Sequence, residues 1–246
     1  MMDQAEWLER ITGGDISLFK IKSQTTVKDK RTLLAVQNFL RGAVGDYTYI
    51  EVGSHLGGSL VPHLADPACT EIASVDPRPE MLRDDRARAV TYDGNSTQRM
   101  IDGLAEILPL DCLAKLKTYD CDARDLTGYD MRRDYTLGMI DGEHTNTAAF
   151  RDFINLRRYM AKDSLMLFHD SNIVFDALEN IQTLLRDEGA KFTSVYLPGI
   201  LFAVAFGKLR KPAKKALAPL AHDPEWYVNR ARRQLQERIA QHVNAA

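Results

Sequence analysis

Cysteine is scarce in this chain: Cys69, Cys112 and Cys121 are the three among 246 residues, and no two stand at Cys-x-x-Cys spacing. An odd, scattered trio argues against a disulfide framework and against a thiolate zinc site, so a reducing compartment, the cytoplasm, is the expectation. No apolar run approaches the ~20 residues a membrane span needs, and the first residues lack the apolar stretch of a secretory leader, so no membrane partner is expected. An excess of one charge is also missing: 32 Lys and Arg face 34 Asp and Glu, a formal net charge of −2. Whole-chain electrostatics therefore gives no pointer to nucleic acid. There is no internal repeat and no low-complexity tract. What is present, 45% hydrophobic residues, suffices for the core of one α/β domain with additions.

The charge is unevenly spread. From Lys208 onward there are nine Lys and Arg and three Asp and Glu, a local balance of +6 that leaves −8 for the rest. That break suggests three parts: an N-terminal helical cover over residues 1–45, a central domain over 46–207, and a tail over 208–246. In the first part, Ala5 to Ile11 reads as a short helix. Lys20 to Thr26 is a polar approach, and Val27 to Ala43 a helix with Leu33, Val36 and Leu40 on one face. In the tail, Lys208 to Lys215 reads as a basic linker broken by Pro212. Glu225 to Val243 carries Val228, Ala231, Leu235 and Ile239 on one stripe. Such a helix either packs back on its own domain or joins a second copy into a homo-oligomer.

The middle of the chain alternates strands and helices. Tyr47–Val52, Glu71–Asp76, Leu113–Tyr119, Tyr135–Ile140 and Ser164–Phe168 read as strands, and Phe192–Tyr196 and Ile200–Phe206 as a hairpin across Leu197-Pro198-Gly199. Helices are expected over Gly58–Ala65, Gln98–Leu108, Thr147–Ala161 and Val174–Glu188. The stretch 77–95 is polar and long for a connection.

The stretch around which the chain is organised is Tyr47-Thr-Tyr-Ile-Glu-Val-Gly-Ser-His-Leu-Gly-Gly-Ser59. A β-branched and aromatic strand runs into a glycine turn, and a helix opens beyond it. Glycines let a backbone approach a ligand closely, and a helix start offers free N–H groups. His55 stands where the dinucleotide fingerprint G-x-G-x-x-G needs glycine, which disfavours a dehydrogenase. Glu51-x-Gly53-x-x-x-Gly57-Gly58, followed by a strand ending on Asp76, resembles motifs I and II of the class I S-adenosylmethionine-dependent methyltransferases. The resemblance implies a Rossmann-like α/β fold: a seven-stranded, mostly parallel sheet of order 3-2-1-4-5-7-6 with helices on both faces. It also implies that S-adenosyl-L-methionine is held by Glu51, Gly53, Ser54, Gly57 and Ser59. Asp76 would take the ribose hydroxyls, and Asp122 and Ala123 would face adenine. A turn that merely joins strand to helix is the competing reading, and for Asp122 an acidic loop.

Two later segments carry chemistry: Met139-Ile-Asp-Gly-Glu-His-Thr145 after the fourth strand and Leu167-Phe-His-Asp-Ser171 after the fifth. Ligands of open α/β sheets bind beyond the carboxyl ends of strands, and neighbouring strands lie ~5 Å apart. Asp141, His144, His169 and Asp170 are therefore expected to converge. Two carboxylates at one mouth suit a hard divalent cation such as Mg2+. Asp-Gly-x-His with a later His-Asp resembles the macrocin-type sugar O-methyltransferases and cephalosporin-hydroxylase-like proteins. That resemblance covers about residues 30–206. It implies Asp141, His169 and Asp170 as metal ligands, His144 as general base, and a hydroxyl of a small molecule or sugar as methyl acceptor. His169 departs from the acid usual at its position.

Each residue has a plainer reading. Asp141 binds only the methionine part of the cofactor, His144 caps the following helix, His169 is a satisfied core histidine, or Asp170 caps a turn. Two rival functions remain: a metal-independent methyltransferase of nucleic acid or protein, motivated by the basic tail, and a non-catalytic cofactor-binding assembly subunit.

Overall fold

The computed structural model describes residues 3–86 and 88–243; the chain ends of the expected N- and C-terminal segments lie outside it. In chain order the elements are α1 (Gln4–Thr12), α2 (Val27–Val44), β1 (Tyr47–Val52), α3 (Leu60–Ala65), β2 (Cys69–Val75), β3 (Met81–Arg83), β4 (Ala89–Thr91), α4 (Thr97–Ala105), α5 (Leu110–Leu113) and β5 (Leu116–Tyr119). There follow β6 (Tyr135–Ile140), α6 (Asn146–Leu156), β7 (Met160–Phe168), α7 (Phe175–Asp187), β8 (Phe192–Leu197), β9 (Leu201–Phe206), α8 (Arg210–Leu217) and α9 (Pro224–Val243). Seven strands form one sheet in the order β5-β2-β1-β6-β7-β9-β8, the expected 3-2-1-4-5-7-6. All its neighbours are parallel except β9, which is antiparallel to both β7 and β8. This is the Rossmann-like methyltransferase fold.

The central strands explain themselves. Every residue of β1 is buried, as befits a strand covered on both faces. Tyr47, Tyr49, Leu137 and Leu165 pack into one core layer with Leu34, Val36 and Leu40 of α2. Ile50, Val52, Ile140 and Phe168 pack into the other with Phe153 of α6 and Leu178 and Ile181 of α7. Thr26 opens α2 through a capping box with Asp29: the Asp29 N–H donates to the Thr26 hydroxyl (3.2 Å) and the Thr26 N–H to Asp29 Oδ2 (2.8 Å).

Four expectations shift. The stretch 77–95 is not all loop but contains an antiparallel ribbon, β3 with β4. α6 stops at Leu156, and β7 begins at Met160, four residues before the expected Ser164. Helical spacing alone cannot locate that end, because a short 3₁₀ turn over Arg157–Tyr159 follows the helix directly. Leu113 belongs to α5, and the third long strand starts at Leu116. Finally, Lys208–Lys215 is no linker. Arg210 to Leu217 is helical with Ala213 and Leu217 buried, and Pro212 is tolerated because it lies in the first turn.

α9 packs back on its own domain through Tyr227, Val228 and Ala231. The stripe read as a partner surface is thus partly buried within the chain. Among the described residues no helix is long and apolar enough to cross a membrane.

Candidate functional site

The ladder hydrogen bonds run one residue past each strand end, and this sets the site. Gly53 N–H donates to Val75 O, Asp141 N–H to Val52 O, and His169 N–H to Ile140 O, all within 3.0 Å. Because Val52, Ile140 and Phe168 are already in register, Gly53, Asp141 and His169 come out level beyond the sheet. Beyond the same edge lie three non-glycine residues in the left-handed region: His55 (φ 46°), Arg78 (φ 56°) and Asp170 (φ 50°). Such strain concentrates where function over-determines the backbone.

A cavity of about 1000 Å³, counting its open mouth, lies over these tips. Of the expected cofactor residues, Gly53, Ser54, Ser59, Asp76, Asp122, Ala123 and Asp141 line it. Gly53 sits at φ 86°, and a Cβ there would overlap the Asp141 carbonyl. Asp76 accepts from the backbone N–H of His55 and of Arg78, both at 2.8 Å. Arg78, buried beneath the turn, also donates to the His55 carbonyl, to Ser54 Oγ (3.2 Å) and to Ser74 Oγ (3.0 Å). The guanidinium thereby holds the turn shut from below. Asp122 pairs with Arg124 (2.9 Å) and Arg151 (3.4 Å).

Two expected residues do not reach the cavity wall. Glu51 is fully buried and accepts from Ser59 Oγ (2.6 Å) and Tyr49 OH (2.9 Å). Burial lifts its pKa to about 8, against the two hydroxyl donors. Glu51 therefore braces the turn from behind. Gly57, at φ 79°, faces Met100 and Leu104 instead, where a Cβ would come within 3.1 Å of Met100 Cγ. It shapes the turn, while Gly53 faces the cavity.

The second constellation converges. His144 Nε2 stands 3.1 Å from Asp170 Oδ2 and 3.8 Å from Asp141 Oδ1. One ligand atom each from Asp141, His144 and Asp170 fit within 4.8 Å of one another. His169 takes a different place from the one expected. Its Nδ1 points at Asp141 Oδ1 (3.0 Å) and Asp170 Oδ2 (3.2 Å), and its Nε2 lies 3.6 Å from Asp29 Oδ2. Burial opposes a charge on this ring, but Asp141 and Asp170 outweigh it, and the pKa is raised well above its ordinary value. Likewise burial would raise Asp170, and the His169 charge beside it instead brings the carboxyl down to about 2. The three groups whose ligand atoms come within mutual reach are thus Asp141, His144 and Asp170, with His169 packed behind the two carboxylates. Those donors, two carboxylates and an imidazole, fit a divalent cation.

Asp29 went unread in the sequence because it looks like an ordinary first-turn acid. Folding brings it, fully buried, to the hairpin tip, where Ile200 N–H donates to its Oδ1 at 2.9 Å. Burial pushes its pKa up, and the His169 charge with the Thr26 and Ile200 donors brings it below the usual carboxylate range. Lys22, Ser23, Gln24 and Thr25, foreseen only as a polar approach, form a wall of the cavity, and Tyr92 of the ribbon region another.

Comparison with known proteins bears on the fold and the family. Residues 50–171 match the family model described as a methyltransferase domain. Together with the fold, this match supports an S-adenosylmethionine-dependent methyltransferase. Among curated proteins none matches it. Among solved structures it is similar to the calicheamicin methyltransferase CalS11, at 16% identity, covering 85% of this chain and 95% of that one, with a TM-score of 0.53. It is also similar to the O-methyltransferase TomG from Streptomyces achromogenes, involved in tomaymycin synthesis and solved with its cofactor. There the identity is 11%, the coverage 84% and 100%, and the TM-score 0.51. At such identities the likeness speaks for the fold alone.

Proposed function

We propose that the protein methylates a hydroxyl of a small molecule or sugar, assisted by a divalent cation, Mg2+ being the expected one. The observation that carries this reading is the meeting of Asp141, His144 and Asp170 on the wall of the cavity that Gly53 opens. S-adenosyl-L-methionine would lie along Gly53, Ser54 and Ser59, with its ribose at Asp76 and its adenine by Asp122 and Ala123. The names of TomG and CalS11 support an acceptor of the small-molecule kind.

The sulfonium carbon is already electrophilic, so the protein must align an oxygen with it and help that oxygen lose its proton. Alignment alone is worth ~7–11 kcal/mol in the best-oriented systems. Asp141, His144 and Asp170 would hold the cation, which would polarise the acceptor hydroxyl and ease its deprotonation. His169 Nδ1, within 3.2 Å of both carboxylates, would keep the two in place beside the cavity. His144 Nε2 is also the atom foreseen as general base. Nε2 has a single lone pair, so the two roles exclude each other: if a cation were held there His144 would serve as a ligand, and only without one could it serve as the base.

The test is release of S-adenosylhomocysteine from S-adenosylmethionine over a panel of catechols, sugars and amines, with Mg2+ and with chelator. Turnover of hydroxylated acceptors that chelator abolishes and Mg2+ restores supports the whole reading. Turnover indifferent to both would return His144 to the role of base. Turnover of amines alone would remove the hydroxyl acceptor.

A further inference from the structure

A second cavity, of about 1270 Å³ with its mouth, lies at the β8–β9 edge and shares no lining residue with the first. Its walls come from α2 (Lys28, Arg31, Thr32, Ala35), from the hairpin tip (Pro198, Gly199, Ile200) and from the start of α9 with the segment before it. Two features give it a chemistry. The first is aromatic. Trp226, 47% exposed, sits 5.6 Å from the His222 ring, and His222 stacks on Tyr227 at 5.5 Å. Trp226 thus offers an exposed indole at the cavity mouth, of the kind that stacks with a flat ligand. The second is charge. Lys28, Arg31 and Arg230 line the cavity and no Asp or Glu does. None of the three is in an ion pair with a carboxylate of the described residues, so the positive charge at the cavity is uncompensated by its own lining. Arg230 lies over the Trp226 ring at 5.2 Å, which aims its guanidinium along the aromatic wall. The field is felt locally: burial first, and then Arg230 and Lys28, depress the His222 pKa.

We propose that this cavity binds a planar anionic small molecule, an aryl phosphate or nucleotide-like group, as a ligand separate from cofactor and acceptor. The flat part would stack at Trp226 and His222, and the anion would meet Arg31, Lys28 and Arg230. Separation from the catalytic cavity follows from the wall between them, in which Asp29 takes the Ile200 N–H on one side and faces His169 on the other. Occupancy of the second cavity therefore bears on the hairpin tip that Asp29 holds.

Calorimetry on the full chain tests this, with 1-naphthyl phosphate as probe and the protein saturated with S-adenosylhomocysteine. One site of micromolar affinity is expected. Neutral 1-naphthol and inorganic phosphate should each bind at least tenfold more weakly, and the R31Q/R230Q double variant should weaken the probe at least tenfold. S-adenosylhomocysteine affinity and the thermal midpoint of that variant, whose altered side chains are exposed, should stay unchanged. Absence of binding at millimolar probe, equal affinity for naphthol, or equal affinity in the variant would overturn the proposal. So would a concentration-dependent dimer that shields Trp226 and blocks the probe. If S-adenosylhomocysteine itself fails to bind, the cofactor reading has failed, and the probe titration, run without it, still decides this one.

Discussion

Gly53→Ala is the substitution through which fold and site are tested together. Gly53 sits at φ 86°, where an L-residue is strained, at a cost of about 1–3 kcal/mol. Its new Cβ would stand 2.5 Å from the Asp141 carbonyl carbon and 2.6 Å from Gly142 Cα. Both are backbone atoms, so no side chain can swing away. Forcing them apart adds about 1–3 kcal/mol by the measure of overpacked cores. The sum, about 4 kcal/mol at its centre, corresponds to a thermal midpoint lower by about 8–16 °C for a chain of this size. Relief can come only by displacing the 141–142 peptide, which carries one of the site carboxylates, so S-adenosylhomocysteine affinity should fall with stability. Gly103→Ala is the matched control. It lies within α4 with nothing inside 4 Å of its would-be Cβ, and should stabilise by about 0.5–1 kcal/mol. Differential scanning calorimetry and ligand titration on both variants give the answer. A Gly53→Ala protein with wild-type midpoint and cofactor affinity would refute the close approach of the two strand tips.

Further expectations concern the charges. Asp170→Ala should abolish Mg2+-stimulated turnover and leave S-adenosylhomocysteine affinity nearly intact; a large loss in titration calorimetry would make Asp170 a cofactor residue. His169→Gln leaves Asp29, Asp141 and Asp170 without their countercharge and should cost about 3–5 kcal/mol at neutral pH by urea unfolding. Because the folded His169 pKa is raised, its stabilisation is complete below about pH 6.5 and is lost as pH rises through the higher folded value. A wild-type urea midpoint that stays level as pH climbs, with the variant's offset unchanged, would sink this assignment. Glu51, whose pKa burial lifts from the ordinary 4.5 to about 8, binds an extra proton in the folded state between those values. Stability should therefore decline as pH rises across that window, by a few kcal/mol, and Glu51→Gln should remove the decline. Tyr227→Phe deletes the buried hydrogen bond between Ser171 Oγ and Tyr227 OH (2.6 Å) and should cost about 1 kcal/mol without changing turnover.

Much of the fold was legible because its signals are local. A β-branched and aromatic strand such as Tyr47–Val52, followed by Gly53 and Gly57 and then a strand tipped by Asp76, carries its own geometry in residue type and spacing. The sheet order followed from resemblance, and the structure reproduces it. What went astray was also local but weakly marked. The basic run Lys208–Lys215 looks like solvent-exposed linker until Ala213 and Leu217 find a core to pack on, and the end of α6 is blurred by the turn that continues it.

The sequence by itself singled out the residues of the glycine turn and of the two later strand tips as candidates, since glycine, carboxylate and imidazole are fixed by residue type. Only the tertiary structure decided how they divide the work. Glu51 and Gly57 turn away from the cavity, His144 joins Asp141 and Asp170, and His169 is claimed by three carboxylates, one of them Asp29 from a helix 140 positions earlier. Spacing along a chain places a side chain at an element's tip, but its charge state and direction depend on what packs around it. Those neighbours come from distant segments, and no local pattern encodes them.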